Sequence, residues 1–256
     1  MPRQPEPLAN PSVSRRRLLK TSIGAGAALA AVDGLTLAAA RRQAPRKKVG
    51  VVLFQGDSIT DAGRNRKDGN PNSPSALGRG YPFHLGGQLL ADHPQSEVKV
   101  FNRGISGHKV PDLDARWQRD TIDLKPDVLS ILVGVNDIWH KLAGRYSGTV
   151  EDYEIGFTAL LEKTRAALPE VRLVVCEPFV LRCGAVKDNW FPEFDQRRAA
   201  AKRVCEAAKA TWVAFQSMFD DAAKAAGPAY WAGDGVHPTL AGHALMAKAW
   251  REAVGL

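Results

Sequence analysis

From residue 49 onward, short unbroken apolar runs alternate with longer stretches in which apolar residues recur every three or four positions. The runs lie at residues 49–55 (VGVVLFQ), 98–103 (VKVFNR), 128–135 (VLSILVGV), 172–179 (RLVVCEPF) and 212–216 (WVAFQ). Runs this short, continuous and rich in Val, Ile and Leu are typical of strands covered on both faces. The helical patterns occupy residues 81–92, 110–124, 149–168, 196–210, 219–226 and 239–253. Strand, helix, strand in succession predicts a parallel sheet with helices on both faces. No internal repeat and no second apolar block interrupts the series, so residues 49–256 read as one domain. One connection is unusual. Residues 61–80 (DAGRNRKDGNPNSPSALGRG) are dense in Gly, Asn, Pro and Arg and follow the first strand directly. Parallel sheets bind ligands at the carboxyl ends of their strands, which puts this loop at the rim of any site.

Before residue 49 the pattern changes. SRRRLLK at residues 14–20 precedes an Ala- and Gly-rich stretch, 21–40, that Asp33 interrupts and that ends in three alanines. Ala and Gly contribute little apolar surface, and a charge near the centre of a span costs about 2.5–3.5 kcal/mol, so a stable transmembrane helix is not predicted. Residues 1–40 instead resemble a twin-arginine export signal with a cleavage site after Ala40. Residues 41–48 follow as a basic linker. On this reading the protein is exported, periplasmic or extracellular, with no stable membrane insertion after cleavage; a basic tail or an uncleaved anchor are the competing readings.

Charge narrows the partners. Residues 1–40 hold five basic and two acidic side chains and residues 41–48 five more basic ones, which accounts for the whole formal charge of +8. The remaining body is neutral, so no nucleic-acid-binding face is predicted. A hydrophobic content of 45% and a charged content of 24% suit a soluble globular domain. Three cysteines, Cys176, Cys183 and Cys205, cannot close a disulfide framework and match no zinc spacing. They read mostly as small buried apolar residues, with one pairing left open.

The candidate chemistry sits at strand ends. Ser58, in LFQGDSIT, lies just past the first strand. Alone it reads more readily as a helix-capping hydroxyl. No G-x-G-x-x-G, GK[ST] or G-x-S-x-G motif surrounds it. DGVHP at 234–238 changes its meaning. An aspartate three residues before a histidine, in a glycine-containing turn, holds one ring nitrogen and leaves the other for a hydroxyl, as a serine nucleophile requires. A metal reading of Asp234 and His237 would need His243 as a further ligand, and its spacing is poor. Gly104 follows the second strand and offers a backbone N–H with no side chain in the way; Asn136 follows the third and offers an amide. Together with the Ser58 N–H these form a candidate oxyanion hole. Asp57 and Asp137 read as turn-fixing groups.

GDS at 56–58, Gly104, GVND at 134–137 and DGVH at 234–237 resemble the SGNH, or GDSL-type, hydrolase superfamily, in the family's block order over residues 49–256. The resemblance maps its name-giving residues onto Ser58, Gly104, Asn136 and His237. It implies a three-layer α/β/α, flavodoxin-like fold with a five-stranded parallel sheet, and ester hydrolysis without metal or cofactor. The longer segments GDSITDAGRNR, GRGYPFHL and DGVHPTLAGH are similar to bacterial xylan acetylesterases within it. The implied substrate is an acylated small molecule or polysaccharide, such as acetylated xylan or a xylo-oligosaccharide; a homo-oligomer is left open. A lysophospholipase or thioesterase of the same machinery, and a non-catalytic carbohydrate-binding module, are the rival readings. Arg64, Trp190 and Trp231 are the candidate substrate contacts, while Trp139 reads as packing. Residues 180–195 are where substrate choice is expected to vary.

Overall fold

The computed structural model describes residues 50–256; the export-signal and linker assignments lie outside the described residues. Five strands, β1 (Val51–Gly56), β2 (Lys99–Asn102), β3 (Val128–Leu132), β4 (Arg172–Cys176) and β5 (Thr211–Val213), form one sheet in the order β2-β1-β3-β4-β5. Every neighbouring pair is parallel. The order is flavodoxin-like, and its direction reverses between β1 and β3. The helices, in chain order, are α1 (Ser58–Asp61), α2 (Pro74–Leu77), α3 (Tyr81–Asp92), α4 (Val110–Asp114), α5 (Trp117–Asp120), α6 (Val135–Leu142), α7 (Val150–Ala167), α8 (Glu193–Ala207), α9 (Phe215–Ala225), α10 (Pro228–Trp231) and α11 (Leu240–Val254). No described helix is long and apolar enough to cross a membrane.

Successive strand residues point to opposite faces of the sheet, which is why uninterrupted apolar runs were needed. Val52, Phe54, Val128, Leu132 and Val174 feed one core with α3, α9 and α11. Leu53, Leu129, Ile131, Leu173 and Val175 feed the other with α7 and α8. The result is three layers, α/β/α, with all five carboxyl strand ends along one edge.

Three departures from the sequence pattern bear on the site. The helix expected over 110–124 breaks into α4, α5 and a 3₁₀ turn at Ile122–Leu124. The break falls at Arg116, whose guanidinium donates to Gln55 Oε1 at 2.9 Å and to the Arg103 carbonyl at 2.8 Å beneath the ends of β1 and β2. The apolar run 128–135 hides a turn: β3 stops at Leu132, Gly134 takes φ +138°, and α6 begins at once. Likewise β5 stops at Val213 and α9 starts at Phe215 rather than 219.

Candidate active site

Ser58 is placed by a tight junction between β1 and α1. At Gly56 a Cβ would stand 2.3 Å from the Leu132 carbonyl oxygen and 2.5 Å from Thr60 Oγ1, so only glycine lets β3 and α1 approach this closely. Asp57 caps α1, its Oδ1 accepting the Ile59 N–H at 3.0 Å. Ser58 is thus the first helical residue, and its own N–H belongs to the first turn, which has no partner within the helix.

The opposing turn is built from its own carboxylate. Asp234 Oδ1 accepts the backbone N–H groups of Val236 at 2.9 Å and His237 at 2.7 Å, and Oδ2 lies 2.7 Å from His237 Nδ1. Gly235 has φ +86°, and a Cβ there would come within 2.5 Å of the Leu181 and Cys183 carbonyls. The segment after β4 braces this turn from below. Leu181 N–H donates to the Gly235 carbonyl and Ala185 N–H to the Asp234 carbonyl, both at 2.8 Å.

Across the crevice His237 Nε2 lies 2.8 Å from Ser58 Oγ, joining residues 179 positions apart. Burial opposes ionisation of Asp234, but the His237 ring and the His237 and Val236 N–H groups outweigh it and hold the carboxyl below its ordinary range. An ionised carboxylate only accepts hydrogen bonds. Nδ1 therefore carries the ring hydrogen, and Nε2 offers its lone pair to the Ser58 hydroxyl, which donates.

The oxyanion side matches the expectation in part. Asn136, on the first turn of α6, is 5% exposed and donates one amide N–H to the His108 carbonyl at 3.2 Å, leaving the second uncommitted among the described residues. Gly104 requires correction. Its N–H donates to Asn102 Oδ1 at 2.9 Å and is buried, so it has no hydrogen to offer a ligand. Its need for glycine is steric: a Cβ would come within 2.5 Å of the Asp61 backbone nitrogen. The open donor in this loop is Gly107, at φ +84°, half-buried and with no partner for its N–H among the described residues. Ser106 beside it is held by Asp61 Oδ2, which accepts both its N–H at 3.0 Å and its hydroxyl at 3.1 Å.

The three expected substrate contacts have partners within the protein. Arg64 is buried and clamps the loop, its Nε donating to the Gly104 carbonyl at 2.8 Å; burial pushes its pKa down to about 10. Trp190 is only 3% exposed and packs between Trp139 and Phe194. Trp231 spends its indole N–H on the Ala222 and Ala226 carbonyls at the end of α9. Trp139, read as packing from the sequence, comes to the site instead: its ring is 5.8 Å from that of His237. The residue sits one turn beyond Asn136 on α6, a helix the apolar run concealed.

Two buried carboxyls flank these groups. Burial pushes Asp57 up to about 7, against the pull of the Ile59 N–H, and Asp57 Oδ2 meets no donor among the described residues. Burial also raises Asp137 to about 6, opposed by the Arg197 charge. The turn-fixing role fits Asp57 Oδ1. Cys176, Cys183 and Cys205 are free thiols, the first and last buried. Among the described residues no group of three or more His, Cys, Asp or Glu side chains is arranged to hold a metal ion. An open cavity of about 390 Å³ adjoins Ser58 and His237 and is lined further by Ile59, Ala62, Arg79, Pro238, Leu240 and His243.

Known proteins share this arrangement's sequence and fold. A sequence model of the GDSL-like lipase/acylhydrolase family matches residues 54–245. An acetylxylan esterase of Geobacillus stearothermophilus is 36% identical over 208 residues, covering 80% of this chain and 93% of its own. A crystal structure of a GDSL-like lipase from Parabacteroides merdae superposes with a TM-score of 0.79 at 49% identity, over 82% of this chain and 97% of its own. The crystal structure of Axe2, an acetylxylan esterase from Geobacillus stearothermophilus, superposes with a TM-score of 0.73 at 34% identity, with the same coverage of 82% and 97%. Solved catalytic mutants of Axe2 replace a serine or a histidine by alanine.

Proposed function

This chain belongs to the GDSL-like lipase/acylhydrolase family and is a carboxylic ester hydrolase; from that premise we propose that it is a serine esterase that removes acetyl groups from a carbohydrate such as xylan or a xylo-oligosaccharide. The observation that carries the mechanism is the relay of hydroxyl, imidazole and carboxylate at 2.8 and 2.7 Å. Ser58 Oγ attacks the ester carbonyl while its proton passes to His237 Nε2. Asp234 holds the ring in place and stabilises the imidazolium. The negative charge on the carbonyl oxygen is met by the N–H of Ser58, the N–H of Gly107 and the Asn136 amide. The imidazolium then gives its proton to the departing alcohol oxygen, leaving an acyl group on Ser58. Water, losing a proton to His237, attacks that acyl group; the acid departs and the serine is restored.

Similarity to an acetylxylan esterase over four-fifths of the chain supports a carbohydrate ester. The small acyl group is proposed from Trp139, whose ring 5.8 Å from that of His237 would narrow the space beside the ester. Export through the signal at residues 1–40 fits a polymeric substrate outside the cell membrane; a mature chain beginning after Ala40 is the expected result of N-terminal sequencing. The substrate is tested by supplying acetylated xylo-oligosaccharides, acetylated pectin fragments and phospholipids side by side, with Ser58→Ala as the blank. Acetate release from the xylo-oligosaccharides by the wild type is expected. Fatty-acid release from phospholipid with no acetate from any sugar would overturn the reading.

A further inference from the structure

The cavity beside Ser58 has a direction. The leaving alcohol must lie where the protonated imidazole can reach its oxygen, on the His237 side of the ester. Pro238, Leu240 and His243, which follow His237 in the chain, line the cavity, and the oxyanion donors Asn136 and Gly107 are not among its lining residues. The cavity is therefore placed for the alcohol half of the substrate.

Its lining has an unusual charge balance. Among the lining residues is one fixed cation, Arg79, and no acid. Arg79 is exposed, and its side chain makes no hydrogen bond or ion pair among the described residues. Its guanidinium lies over Gly63, where a Cβ would stand 2.8 Å from Nη2, so the glycine leaves a flat seat for it. The Arg79 N–H donates to the Ala62 carbonyl at 3.1 Å and fixes the start of the side chain. In the same lining, His243 accepts the Tyr81 N–H on Nδ1 at 3.2 Å, and its Cε1 would stand 3.1 Å from a Cβ at Gly80, the residue after Arg79. Burial, with smaller contributions from His84 and His237, pushes His243 down to about 4, so its ring is neutral. With Nδ1 accepting, the hydrogen of the neutral ring sits on Nε2, which has no protein partner among the described residues. Leu240, 73% exposed, adds an apolar surface of the kind a sugar ring covers.

A guanidinium with no acid among its neighbours in the lining, and a neutral donor in the same lining, select an acceptor-rich, anionic group. A planar fork of N–H groups suits a carboxylate in particular. We infer that this cleft is the subsite for the alcohol half of the ester and that its preferred occupant is an acetylated oligosaccharide bearing a uronic acid, whose carboxylate pairs with Arg79. The inference rests on the carbohydrate-esterase reading above and names the substrate within it.

The test compares kcat/KM for acetate release from acetylated xylo-oligosaccharides with and without a glucuronic acid branch. Wild type, Arg79→Ala and Arg79→Glu are measured at low and high salt. The wild type should favour the acidic substrate. Arg79→Ala should lower the acidic-to-neutral ratio by about fivefold, chiefly through KM, and Arg79→Glu should lower it further, as expected for a solvent-exposed charge pair. Raising the salt should shrink the wild-type preference. An equal ratio in all three proteins, each still deacetylating both oligosaccharides, would overturn the subsite alone. Hydrolysis of an aryl acetate with no acetate from either oligosaccharide would overturn the carbohydrate reading and the subsite with it.

Discussion

The two sides of the reaction centre are held by different physics. Ser58 and Asn136 stand where buried strands end, on α1 and α6, in junctions so tight that Gly56 and Gly104 admit no Cβ. Asp234 and His237 stand on a turn whose side chains are 40% and 44% exposed. Close packing of the strand–helix junctions fixes the first pair. Hydrogen bonds from the turn's own backbone to one carboxylate fix the second. Close packing tolerates little change of volume, whereas an exposed turn held by a few bonds tolerates changes that keep those bonds. Asp234 therefore has two separable jobs: Oδ1 shapes the turn and Oδ2 sets the tautomer.

Asp234→Asn separates them. The amide oxygen can keep the Val236 and His237 N–H bonds, but its NH₂ facing Nδ1 favours the wrong tautomer, so kcat should fall by about 10⁴-fold with little change in melting temperature. Asp234→Ala should lose the rate and also lower the melting temperature. Equal melting temperatures for the two variants would show that the turn does not depend on its carboxylate.

On the buried side, Asn136→Ala should reduce kcat by about 10²–10³-fold, with KM nearly unchanged, because the amide acts on charge that develops only in the transition state. A loss confined to KM would move Asn136 from the oxyanion to the bound substrate.

Asp57 sharpens the contrast through pH. Its folded value of about 7 lies above the ordinary 3.8, so the folded chain holds this proton more tightly than the unfolded chain does. The associated stability is fully present below about pH 3.8 and is lost as pH rises through about 7. Asp57→Asn keeps an acceptor for the Ile59 N–H and removes the charge. Above pH 7 it should exceed the wild type in stability by on the order of a few kcal/mol, with the difference vanishing in acid. Urea unfolding across this range checks it, and parallel curves for the two proteins would contradict it.

The smallest effect concerns the acyl group. Trp139→Ala should raise the butyrate-to-acetate ratio of kcat/KM on aryl esters by about tenfold. An unchanged ratio would return Trp139 to a packing role.

Much of this is legible in the sequence alone. Val52 to Phe54, Leu129 to Leu132 and Leu173 to Cys176 announced strands covered on both faces, and the two cores they feed lie on either side of the sheet. Ser58, Asn136 and the pair of Asp234 and His237 stood out because each follows a strand or a turn with few residues between. The assignment of Gly104 in NRGISG fails for a reason the pattern does not carry. That reason is Asn102 reaching forward to the Gly104 N–H, a side-chain bond that no periodicity records. The same holds for Arg64, whose partner is a carbonyl 40 residues away, and for Trp190, whose burial depends on where α6 and α8 pack. Arg79 sits in a loop with no pattern, and only the fold carries it beside His243.

The central claim is that Ser58 is the nucleophile of this relay. Treating the purified protein with a fluorophosphonate and mapping the adduct by peptide mass spectrometry tests it most directly. One adduct per chain, on the peptide containing Ser58 and forming in step with loss of esterase activity, is the predicted result. An adduct on another residue, or a Ser58→Ala protein that still hydrolyses acetate esters at the wild-type rate, would contradict it.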